Sequence, residues 1–271
     1  DEDMYEAMLN HVLKMHSDIH IGGYIIENDK GSRFDLREGR IQTFDRGAAL
    51  RQMITVSMRG YALFRGHLWD KLFKRSVLNG LYLDEDLKLR EDTWLVWQAF
   101  RRAALISYAP QFSYHYWERR DSATHVRLKK ENGTYLEAMR RIRDDSLDLD
   151  GETRSVVQEA YEAEALAVLK DILLTGSTDF KEVFQQGQKE LRTHVMEILT
   201  NSQFSAKRKL GMLCFCVPLW VLHMIKPLLA IYDTFKAKET VVGKCDNADM
   251  HTKEKRNGST GKTYFDKNRG G

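Results

Sequence analysis

Arg90-Glu91-Asp92-Thr93-Trp94 sets two adjacent carboxylates at the start of an aromatic-rich helix. From Asp92 to about Arg102, Trp94, Trp97 and Phe100 recur at three-residue spacing, the mark of one apolar helix face. An acidic pair at such a point has two readings. It can rest on the positive end of the helix dipole as a cap, or it can serve as a general base. The flanking sequence decides between them. Upstream lies Leu68-Trp69-Asp70-Lys71-Leu72-Phe73-Lys74-Arg75-Ser76; downstream lies Phe112-Ser113-Tyr114-His115-Tyr116-Trp117, followed by Glu118-Arg119-Arg120-Asp121-Ser122.

Working outward, Ala104 to Tyr108 is apolar and strand-like before Pro110. Phe112, Tyr114 and Tyr116 then alternate with Ser113, His115 and Trp117 as an edge or half-buried strand. On the other side, Phe44 to Met58 reads as helix, and Gly60 to Leu72 leads into a short helix that stops near Asn79-Gly80. Asp18 to Ile26 reads as a strand containing the close-approach pair Gly22-Gly23, ended by the turn residues of Glu27 to Gly31. Met4, Tyr5, Met8, Val12 and Leu13 trace an amphipathic helix behind the acidic Asp1-Glu2-Asp3. Helix followed by strand predicts an α/β layer.

The chain has 271 residues and is 42% hydrophobic, enough for one sizeable domain with appendages. Its 42 basic and 39 acidic residues leave a net charge of only +3, which argues against a nucleic-acid partner. Cys214, Cys216 and Cys245 have no metal or disulfide spacing and suit a reducing compartment, with the cytoplasm as default. The sequence opens on helix-like residues with no charged leader or signal region, and reads as a fragment.

After residue 125 the character changes. Glu152 to Leu174 and Asp179 to Asn201 are long amphipathic patterns, the second with Phe180, Val183, Phe184, Leu191, Val195 and Ile198 as its buried stripe. Lys207-Arg208-Lys209 precedes an uncharged run from Leu210 to Ile225 that contains Trp220 and is interrupted by Pro218. That run is shorter than the roughly 20 residues needed to span a bilayer, so it reads as an interfacial segment or as a helical hairpin packed on its neighbours. The expected division is 1–125 α/β, 126–205 helical extension, 206–235 apolar segment and 236–271 disordered tail.

An ordered series of short motifs over roughly residues 1 to 125 resembles the second half of a bacterial family 2 glycosyltransferase. Asp1-Glu2-Asp3-Met4-Tyr5 is similar to the helix start that follows the family's Asp-rich metal motif, and Ser17-Asp18-Ile19 to the strand after it. Trp69, Lys71, Leu72, Phe73 and Arg75 match a Trp-x-Lys-Leu-aromatic-x-Arg sequence, Glu91-Asp92 the Glu-Asp that follows, and Tyr114, Tyr116, Arg119 and Ser122 the closing aromatic-Arg-Ser sequence.

The resemblance implies an incomplete GT-A (Rossmann-like) domain whose nucleotide-binding part and Asp-rich metal motif lie upstream of Asp1, so that the chain alone would be inactive. It implies inverting transfer of a sugar from a nucleotide-sugar donor to a glycan or lipid-linked acceptor. The setting would be bacterial surface polysaccharide synthesis, capsular or exopolysaccharide. Asp92 is then the candidate base, with Glu91 orienting it, holding a substrate hydroxyl or exchanging roles with it. Arg119 and Ser122 would close on the diphosphate. Lys71 would pair with a carboxylate or the donor, and Trp69 would offer a ring for a sugar to stack on or pack in the core. His115 would join a metal shell or pack within its strand. The complete enzyme would use a divalent metal, Mg or Mn, on the leaving diphosphate. Asp84-Glu85-Asp86 carries the letters of a metal motif but reads as a solvated loop, and His16 and His20 read as structural. The expected location is cytoplasmic, or peripheral on the inner face of the cell membrane.

Overall fold

The structure is a computed structural model that describes residues 1–29, 31–34, 40–55, 63–118, 133–175, 180–201, 204, 206–218, 220–224 and 226–227. By their contacts the residues form two units, 1–218 and 219–271. In the second, residues 220–224 are helical, with Trp220 and Met224 exposed.

The first unit opens with α1 (Met4–Met15), which buries Met4, Met8 and Val12 and ends at His16 in the left-handed region. β1 (Ile19–Asn28) pairs antiparallel with β2 (Gly31–Phe34) at one end. β3 (Gln42–Asp45) runs into α2 (Arg46–Ile54), whose first turn is capped by Asp45 accepting from Ala48 N at 2.8 Å. β4 (Lys71–Phe73) pairs antiparallel with the start of β1, and α3 (Arg75–Leu78) follows, ending at Asn79-Gly80 as expected. α4 (Glu91–Arg102) leads to the long strand β5 (Leu105–Trp117), which lies parallel to β1 and antiparallel to β3. The sheet order is β2-β1-β5-β3, with β4 beside β1, so the fold is mixed α/β as read from the sequence.

Three sequence readings are corrected. Phe44 belongs to β3, not to the helix, because the β3 backbone pairs with Leu105 to Tyr108. The two strands expected around Pro110 are one, with the β1–β5 register slipping between Ile21 and Tyr24; a bulge there accommodates a residue without an N–H. The second long helix is broken at His194 into α7 (Lys181–Thr193) and α8 (Val195–Thr200).

Helices α5 (Gly133–Asp145) and α6 (Gly151–Thr175) complete the layer against α4. Leu136, Met139, Ile142, Val157, Ala160 and Tyr161 share one core with Ile19 and Ile21 of β1, Trp97 and Phe100 of α4, and Ile106 of β5. α9 (Ala206–Phe215) packs on α7, where Gln188 Nε2 donates to Phe215 O and Val217 O at 3.0 and 3.1 Å and Arg192 Nε to Cys216 O at 2.8 Å. These bonds close carbonyls that a helix end leaves open. Among the described residues no helix is long and apolar enough to cross a membrane.

Candidate functional site

Asp18 ties the sheet together. Burial pushes its carboxyl up, but bonds from Lys74 Nζ (2.9 Å), Ala104 N (2.8 Å) and Leu105 N (3.3 Å) outweigh that and hold it below the usual carboxylate range. One carboxylate thereby fixes the start of β5 and the β4–α3 corner relative to β1.

The segment before β4 is fixed just as firmly. Lys71, with a fully buried side chain, donates from Nζ to Arg65 O at 2.6 Å, His67 O at 2.7 Å and Asp70 Oδ1 at 2.7 Å. Asp70 O in turn accepts from Gly22 N at 2.9 Å, extending the β1–β4 pairing by one residue. Lys71 therefore pairs a carboxylate and curls residues 65–70 into a fixed turn.

That turn carries Trp69. Its ring stacks with His67 at 4.7 Å, Tyr114 at 4.5 Å and Tyr116 at 5.4 Å, and meets Tyr24 edge-on at 4.8 Å between centroids. The half-buried indole is thus part of an aromatic wall built from the turn, β1 and β5. Burial, with Tyr5, Tyr116 and Asp70 nearby, pushes the Tyr114 phenol up. Trp117, at the end of β5, is 54% exposed and alternates to the sheet face opposite Tyr114 and Tyr116. Next to it, His115 is held between Glu27 Oε1 (Nδ1, 2.9 Å) and Asp1 Oδ1 (Nε2, 3.1 Å).

The same turn seats the carboxylate pair. Gly66 lies so close to α4 that a β-carbon there would stand 2.8 Å from Thr93 Cα. Arg90 enters the helix with φ 61° and is anchored by Glu164 Oε1 at 2.7 Å. Asp92 Oδ1 accepts from Thr93 N at 2.6 Å and from Thr93 Oγ1 at 3.3 Å; its other oxygen takes no hydrogen bond from a described residue. Glu91 and Asp92 are both half-buried in the first turn of α4.

The structure thus brings Trp69, Lys71 and the Glu91-Asp92 turn into contiguous segments and sets His115 one strand residue from Tyr114 and Tyr116. Arg119 and Ser122 lie outside the described residues. Asp84 is engaged by Arg141 and by the Asp86 amide, which hold its carboxyl below the usual range. Around the aromatic wall, the described residues offer no trio of metal ligands; the trio found among them is elsewhere, at Glu162, His194 and Glu197. That trio belongs to α6 and the α7–α8 break, so the described residues near Glu91 and Asp92 supply no set that fits the Mg or Mn of a leaving diphosphate. His67 and Gly66 were missed by sequence reasoning, since neither spacing nor composition marks a residue whose role is a tertiary contact.

The class defined here is a mixed α/β domain with a helical layer over one carboxylate-bearing helix. No family model matches the chain, and no curated protein does. Among solved structures it is similar to Staphylococcus aureus TarS 1-349 in complex with UDP-GlcNAc, at 15% identity and TM-score 0.47 over 72% of this chain and 54% of that one. It is also similar to S. aureus TarS 1-349 at 15% identity and TM-score 0.43 (72% and 52% covered), and to S. aureus TarS at 13% and 0.47 (83% and 37%). The chain spans about half the length of the first two.

Proposed function

We propose that this chain is the acceptor-side part of an inverting glycosyltransferase that moves a sugar from a nucleotide-sugar donor to a glycan or lipid-linked acceptor, in bacterial surface polysaccharide synthesis. The observation that supports this is the contact between Gly66 and Thr93. It sets a fixed aromatic wall against the turn that presents Glu91 and Asp92. Direct displacement needs a base for the acceptor hydroxyl, and a placed carboxylate contributes about 10²–10⁴-fold. Asp92 fills that role: Thr93 holds one oxygen and leaves the other to accept the proton. Glu91, one residue away, orients the acceptor. Trp69, stacked with Tyr114 and Tyr116, supplies the aromatic wall for a sugar face. Lys71 acts through the turn it holds. Arg119 and Ser122 stay assigned to the donor diphosphate on the sequence resemblance.

The test is Asp92→Asn in the full-length protein. Transfer should fall at least about 10²-fold while donor binding, measured by calorimetry, stays within a few-fold. Wild-type turnover in the variant removes Asp92 as the base.

A further inference from the structure

The helical layer holds a second set of ligand groups that the proposed reaction does not use. Glu162 on α6, His194 at the α7–α8 break and Glu197 on α8 each bring one ligand atom to within 4.8 Å of the other two. Glu162 is only 4% exposed. Gln158 Nε2 donates to its Oε1 at 2.9 Å, and its other oxygen takes no hydrogen bond from a described residue. A buried carboxylate with one hydrogen-bond donor keeps an oxygen open to a further partner.

The other two groups complete a donor set around it. His194 Nδ1 lies 3.0 Å from Glu197 Oε2, and its Nε2 lies 3.9 Å from Glu190 Oε2. Glu197 has a 67% exposed side chain and supplies the route from solvent. Two further charges border the group. Glu190 is drawn to Arg143 at 3.0 Å, and Arg208, which feels Glu159, Glu162 and Glu164, stacks on Phe204 at 5.0 Å.

We propose that Glu162, His194 and Glu197 form a zinc-class divalent metal site that pins α6 to the α7–α8 break. One imidazole and two carboxylates suit a borderline cation of this class, and three protein ligands leave a position for water. The site is independent of the glycosyl-transfer reading. Its role is to clamp the helices, and the helix break at His194 places the imidazole between them.

The test uses the untagged, metal-stripped chain, titrated with Zn²⁺ by calorimetry and with Co²⁺ by its visible absorption. One equivalent should bind, Zn²⁺ should raise the melting temperature, and EDTA should reverse the rise. His194→Ala and Glu197→Gln should each weaken binding at least tenfold, with His223→Ala unchanged. Glu162→Gln should abolish the Co²⁺ spectrum in a chain whose circular dichroism shows it folded. Binding that is absent, or unaltered by His194→Ala, overturns the proposal. So does stabilisation that grows on acidification without any response to Zn²⁺, which would make His194 a protonated bridge between the carboxylates.

Discussion

At Gly66 a single hydrogen in place of a methyl group lets the turn of residues 65–70 touch the backbone of α4. A β-carbon would meet Thr93 Cα at 2.8 Å and Thr93 Cγ2 at 2.7 Å, and the backbone atom cannot swing aside. Gly66→Ala should therefore cost about 1–3 kcal/mol, the usual range for overpacking, read as a lower urea midpoint. It should also shift the near-ultraviolet dichroism of the stacked rings around Trp69. His20 gives a second test at this scale. Its Nδ1 bonds Ser107 Oγ at 2.8 Å, its Nε2 is buried without a partner, and its ring stacks on His11 at 4.9 Å. Burial, then the charge of His11, lowers its pKa to about 4. The unfolded chain binds this proton from about pH 6.5 downward and the folded chain only near 4, so stability is full above 6.5 and declines as pH falls between the two. Urea unfolding at pH 7 and pH 5 should show the loss, up to about 3 kcal/mol in all. His20→Gln should flatten it.

Among the elements, α9 depends on α7 for its C-terminal carbonyls. Gln188 is buried and donates to both Phe215 O and Val217 O. Gln188→Leu leaves the Phe215 carbonyl without its side-chain donor, while Val217 O keeps Arg192 Nη2 at 3.1 Å, and should destabilise by about 1–3 kcal/mol. Protection of the α9 amides in hydrogen exchange should drop first, ahead of those in β1 and β5. The helices were the most legible part of the chain: α1 and α4 lie where apolar spacing put them, because one stripe must be buried in each, and α6 matches its expected span although Glu159 to Ala163 are buried in succession, all round the helix. The short strands β2, β3 and β4 were not read as strands, since three or four residues carry too little alternation and owe their conformation to the neighbours they pair with. Phe180, Phe184, Leu191 and Ile198 are buried as the expected stripe required, yet nothing in that spacing reveals the break at His194. The Lys207-Arg208-Lys209 cluster likewise reads as an outward basic patch. In the fold Arg208 lies half-buried on Phe204, and Lys209 Nζ donates to Leu199 O at 2.7 Å.

For the molecule as a whole, the continuous core decides cooperativity. Ile19, Ile21 and Ile106 of the sheet share it with Trp97 and Phe100 of α4 and with Met139, Val157 and Tyr161 of the helical layer. Residues 1–218 should therefore unfold in one transition, with Trp fluorescence and far-ultraviolet dichroism giving coincident midpoints in urea; separated midpoints would mean that the helical layer unfolds on its own. The sequence by itself determined the α/β class, the long helices and the acidic start of α4, because hydrophobic periodicity and helix-end chemistry act over a few neighbouring residues. It did not reveal which segments pack beside Glu91-Asp92. That depended on the tertiary structure, through a glycine too close to Thr93 to carry a side chain and a buried lysine that curls the Trp69 turn against it. Contacts between residues 66 and 93, or between 162 and 194, are set by the packing of separate elements, which no local pattern encodes.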